Sequence, residues 1–168
     1  PPKLHYIGMG ILQDAQVKAV GDASSSKGWA WLTNSKQDRQ MHLEDQTLGK
    51  VSVLAYSHKV KLIPEQKGDL IVLKIQLKVR SNLVEWDLGS GEKPDKTDLE
   101  TIKLLETRQI EEEIGAFISA TLRKGYDPLG VGLLIRQKFP ELYRAWEPNW
   151  GKNLPEIGYD LQVSCELD

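Results

Sequence analysis

The chain has 168 residues, 40% apolar and 27% charged, with a formal net charge of −2. That length supports one domain with a proper core, and the charge excludes a general basic excess of the kind that binds nucleic acid, although a local basic face is still compatible with it. No apolar run is long enough to span a bilayer, and the opening PPKLHYIGMG lacks the pattern of a signal peptide, so any export signal or lipid anchor is expected on sequence outside these residues. The single cysteine, Cys165, cannot form an internal disulfide.

In chain order, residues 4–12 and 17–20 are short apolar runs separated by the polar Gln13-Asp14-Ala15-Gln16, which predicts a hairpin. The serines of ASSSKGWAWLTN are expected to cap a short helix carrying Trp29 and Leu32, against the helix-weakening Gly28. Trp29 and Trp31 lie two apart, so both cannot face the same core. From Leu54 to Leu62, the residues Leu54, Tyr56, His58, Val60 and Leu62 are expected on one face of a strand. In LIVLKIQLKV, Ile71, Leu73, Ile75, Leu77 and Val79 alternate with polar residues, the mark of a half-buried strand. PEQKGD between these two strands suits a hairpin connection.

DLGSGEKPDK, residues 87–96, is the clearest loop. The long helix after it is expected to start with a Thr97–Glu100 capping box and to stop at Arg123-Lys124-Gly125. Ile110, Ile114, Phe117, Ile118 and Leu122 share its apolar face, and its length of roughly 40 Å would cross a sheet. IGYDLQVSCEL returns to period two at Tyr159, Leu161, Val163, Cys165 and Leu167. The expected fold is α+β: a largely antiparallel β-sheet with one long helix and two or more shorter helices packed on one face, residues 1–168 forming a single domain.

Catalytic and metal chemistry find little footing. His5, His42 and His58 have no ligand spacing, and His58 reads as a hydrogen-bonded core residue. Cys165 reads as a small hydrophobe, and Glu111-Glu112-Glu113 fan around a helix as a solvated face. A hydrolase needs a nucleophile–base pair that the sequence does not display. No catalytic residue, metal site or cofactor is assigned.

YDPLGVGLLIRQKFPELYRAWEPNW, residues 126–150, carries two glycines but no third glycine, lysine or hydroxyl at phosphate-loop spacing. The expected alternative is a helix start, with Asp127 as N-cap, Pro128 in the first helical position and Gly130 and Gly132 inside the helix, pressed against a neighbour. Pro140 then opens a second short helix carrying Leu142, Tyr143 and Trp146. Tryptophan is enriched at protein interfaces, which makes Trp29, Trp31, Trp146 and Trp150 candidates for partner binding if they are exposed.

The order of these features, together with LVEWDL and YIGMGILQDAQVKAVGD, resembles the C-terminal domain of the Ger(x)C family across nearly the whole chain. Asp127, Gly130, Gly132, Pro140, Trp146 and Trp150 match its motif, while Pro128 departs from the usual residue at its place. The resemblance implies the lipoprotein C subunit of a bacterial spore germinant receptor. Such a subunit is lipid-anchored on the outer face of the spore inner membrane and acts with two membrane-embedded subunits, A and B. It implies no catalytic residue and no nucleic-acid partner. Two readings follow: a non-enzymatic interaction domain in germination signalling, or a domain that binds the small germinant itself.

Overall fold

The computed structural model describes residues 8–13, 15–33, 38–87 and 93–168; nothing is stated of the others, nor of the side chains of Gln13 and Asp87. A hairpin comes first, β1 (Met9–Gln13) against β2 (Gln16–Gly21). It forms its own two-stranded sheet. The part of the predicted first strand before Gly8 lies outside the described residues.

Helix α1 (Ala23–Leu32) follows, capped by Asp22 rather than by a serine: its carboxylate accepts from the Ser25 backbone N–H and from Ser25 Oγ, each at 2.8 Å. Ser25 and Ser26 are buried inside the helix instead. Gly28 is tolerated because the backbone of a second helix occupies the place of its side chain. A Cβ there would come within 2.0 Å of the Glu113 carbonyl oxygen.

The main sheet runs in the order β3 (Arg39–Asp45), β4 (Gly49–Lys67), β5 (Leu70–Asp87), β6 (Gly158–Leu167). Its first three strands are antiparallel, and β6 joins β5 in parallel. Ile71, Leu73, Ile75, Leu77 and Val79 are all buried, as their alternation predicts. The β4 face differs from expectation. Pairing slips between Ala55 and Ser57, so Tyr56 is a bulge. One extra residue reverses the parity: Val51, Val53 and Ala55 face the core before it, and His58, Val60 and Leu62 after it. Leu54 and Tyr56 therefore belong to the opposite face.

The β4–β5 connection is tighter than PEQKGD suggests. Strand pairing continues to Lys67↔Leu70, leaving Gly68-Asp69 as a two-residue turn with Gly68 at φ 63°. Pro64 is accommodated inside β4 because β3 reaches only to Ala55, so that part of β4 is a sheet edge.

Helix α2 (Lys96–Ala120) lies across the sheet, its start set by a capping box of Asp95 and Asp98 rather than Thr97 and Glu100. Ile102, Ile110, Ile114, Phe117 and Ile118 are buried, followed by Leu122 in a short 3₁₀ turn that ends at Gly125. Three short helices complete the layer: α3 (Val131–Lys138), α4 (Pro140–Trp146) and α5 (Trp150–Asn153). Pro140 is the first residue of α4. The core lies between these helices and one face of the sheet. The predicted α+β architecture is the observed one, and residues 88–92 of the predicted loop lie outside the described residues.

Candidate functional site

The 126–150 segment folds differently from the simple helix start. Pro128 and Leu129 form a turn, Gly130 precedes α3 with φ 70°, and the first helical residue is Val131. Asp127 still caps the helix, but from further back: its Oδ1 accepts from the Val131 N–H at 2.7 Å and its Oδ2 from the Gly132 N–H at 2.8 Å. Both carboxylate oxygens are thus committed to backbone donors that the helix leaves unpaired, which holds Asp127 as a structural residue. Pro128 is consequently not in the helix, and Gly130 is the αL residue that lets the chain turn into it.

Gly132 sits close beneath two aromatic rings. A Cβ there would meet the Trp150 ring at 3.0 Å and the Tyr143 ring at 3.2 Å. Tyr143 and Trp150 pack at a centroid distance of 5.7 Å. The absent side chain therefore seats Trp150 beside the 125–128 turn.

That placement builds a cleft. It is lined by the 125–128 turn, Trp150, Trp29 and residues 9–12 of β1. It is open to solvent and encloses about 620 Å³. Trp29 is 42% exposed at its rim, and the hairpin beside it leaves Leu12, Val17 and Val20 exposed at 69%, 60% and 71%. Isolated two-stranded hairpins are marginal, and clustered exposed apolar side chains mark interaction surfaces.

The four tryptophans proposed from sequence separate here. Trp29 and Trp150 line the cleft. Trp31 is 1% exposed, with its indole N–H donating to Glu113 Oε2 at 2.7 Å, so it is a core residue and not a partner contact. Trp146 is half-buried against the core, away from the cleft lining. Glu113 is accordingly buried, against its reading as part of a solvated acidic face; Glu111 and Glu112 are exposed as expected.

His58 behaves as a core histidine, its Nε2 at 2.9 Å from the Thr33 carbonyl oxygen and its ring edge-on to Trp31. Burial pushes its pKa down. Burial also pushes the Cys165 thiol up to about 12, far from the range of a reactive thiolate. Cys165 is half-buried rather than fully so, and accepts from Thr107 Oγ1. Sequence reasoning missed one hydroxyl–imidazole contact. His42 Nδ1 lies 2.9 Å from Ser52 Oγ, which donates to Glu85 Oε2 at 3.1 Å. With its one proton directed to Glu85, the hydroxyl presents a lone pair to the imidazole, the reverse of what a general base needs. Only the register His42↔Ser52↔Glu85 brings these side chains into a row. Among the described residues no group of three metal-ligating side chains occurs, and no helix is long and apolar enough to cross a membrane.

A family model described as Spore germination B3/GerAC like, C-terminal, matches residues 7–168. The chain belongs to this family. Its members are C subunits of germinant receptors, with a part in spore germination. A curated relative, Spore germination protein KC of Bacillus subtilis (strain 168), is 22% identical over 144 residues, which cover 84% of this chain and 35% of that protein. The crystal structure of the GerBC protein superposes with a TM-score of 0.83 at 17% identity, over 98% of this chain and 52% of that one. At that identity the likeness is one of fold. The chain thus spans between a third and about half the length of these relatives.

Proposed function

We propose that this domain is a non-enzymatic interaction module of a germinant-receptor C subunit, and that the cleft rim is where it meets the membrane-embedded A and B subunits. The observation that carries this reading is the joining of Trp29, Trp150 and the exposed apolar hairpin on one surface. A large aromatic flanked by aliphatic side chains is the composition of an interface hot spot. In this reading the 168 residues are one domain, the C-terminal part of a longer lipoprotein anchored at the outer face of the spore inner membrane. Replacing Trp29 and Leu12 by alanine in the full-length protein should weaken co-purification of the receptor subunits and slow germination. Unchanged assembly and germination would refute the assignment.

A second reading has one specific observation in its favour. The cleft's volume of about 620 Å³ is within the range of small-molecule sites, and Tyr126, Trp29 and Trp150 would offer ring faces to a ligand. In that case the domain binds the germinant. Calorimetry with amino acids and sugars separates the two: saturable heat abolished by Trp150→Ala favours the ligand, and its absence favours the protein partner.

A further inference from the structure

The sheet face turned away from the helices carries a charge pattern that the net charge conceals. Register and parity place Lys59 and Lys61 of β4 on it, together with Lys74 and Lys78 of β5. Lys59 lies directly opposite Lys78, Lys61 is in the next row of this face opposite Gln76, and Lys74 is in the row after that opposite Ile63. None of the four makes an ion pair with a described residue. Of the carboxylates on this face, Asp160 stands opposite Lys74, and none stands opposite Lys59, Lys61 or Lys78. Asp160 is held by Lys67, Asp168 by Arg80, Glu166 lies opposite Arg80, and Glu65 lies opposite Val72. At the end of the lysine group, beside the Gly68-Asp69 turn, Leu70 is 64% exposed on the same face.

Like charges directly opposite each other destabilise a sheet, so Lys59 and Lys78 are not there for the fold. Lysines on a free strand edge do protect against aggregation, and this accounts for Lys59 and Lys61, where β4 has no β3 neighbour. It does not account for Lys74 and Lys78, because β5 is paired on both sides. We propose that this open sheet face is a docking surface for an anionic lipid bilayer, with the four lysines over the headgroups and Leu70 at the leading turn. A protein partner is the weaker match, because protein interfaces are depleted of lysine and favour arginine and aromatic rings. A flat array of mobile ammonium groups suits a diffuse layer of negative charge. The surface is separate from the cleft, so either assignment stands without the other.

The test is co-sedimentation of the 168-residue chain with equimolar phosphatidylcholine–phosphatidylglycerol vesicles and with pure phosphatidylcholine vesicles. Binding is expected to the anionic vesicles only, and to weaken as salt rises. The quadruple variant K59Q/K61Q/K74Q/K78Q should lose at least about tenfold in vesicle affinity. A control that removes four lysines elsewhere, K96Q/K124Q/K138Q/K152Q, makes the same change in net charge and should bind nearly as wild type; circular dichroism confirms folding of both. Equal losses in the two variants, binding to neutral vesicles, or no vesicle binding at all would each overturn the proposal. So would a lysine-dependent affinity for an acidic protein segment in place of the vesicles.

Discussion

The Trp31 indole N–H donates to Glu113 Oε2 across 2.7 Å, and both side chains are buried. This bond ties α1 to the C-terminal half of α2. Gln109 and Lys27 approach the other carboxylate oxygen, at 3.3 and 3.6 Å. Glu113→Ala leaves the indole N–H unpaired in the core and should cost about 2 kcal/mol. Glu113→Gln keeps an acceptor and should cost about half of that or less. Urea unfolding of the two variants measures the difference, and equal losses would show that the hydrogen bond is not the source.

Gly28 belongs to the same helix contact. With the Glu113 carbonyl oxygen 2.0 Å from where a Cβ would stand, Gly28→Ala must push α1 from α2. The expected cost is about 3 kcal/mol, against the slight gain alanine brings in an open helix. A thermal melt unchanged or raised by this substitution would contradict the close approach.

Asp127 supports the cleft through α3. Asp127→Ala should lose about 1–2 kcal/mol, because two helix N–H groups lose their acceptor. Asp127→Asn retains one acceptor oxygen and should lose less. Denaturant midpoints give the ordering, and Trp150 fluorescence should shift in the alanine variant as the turn beside it loosens.

Part of this was readable from the residues alone. Strict alternation from Ile71 to Val79 and the stripe through Ile110, Ile114 and Phe117 declare their buried faces, because period is a local property of the chain. The Tyr56 bulge is not local: only pairing with β5 shows which residue is extra. Direction is likewise invisible, since Tyr159 to Leu167 would alternate in a parallel or an antiparallel strand. The burial of Glu113 is hidden for a related reason, because three consecutive acids look solvated until Trp31 supplies a donor for one of them. The cleft unites residues 9–12, 29, 125–128 and 150, and no spacing in the sequence predicts that meeting.

Glu106 gives the stability a pH signature. It is fully buried and accepts from Ser81 Oγ; burial pushes its pKa above 4.5, with the Ser81 bond opposing. The folded state therefore holds this proton more tightly than the unfolded chain. Its contribution is intact below the unfolded value near 4.5 and is lost as pH rises through the folded value. Glu106→Gln, which cannot ionise, should gain on wild type as pH rises from that point toward neutrality. Parallel stability–pH curves for the two proteins would argue against a buried, proton-holding Glu106.

The central claim is that the surface around Trp29 and the β1–β2 hairpin is the receptor interface, and its most direct test is site-specific photo-crosslinking in spores. A photoreactive residue at position 12, 17 or 29 of the full-length protein should crosslink to the membrane-embedded subunits, while the same group at exposed Leu104 on α2 should not. Crosslinks to those subunits from position 104 but none from the hairpin or Trp29 would contradict the account.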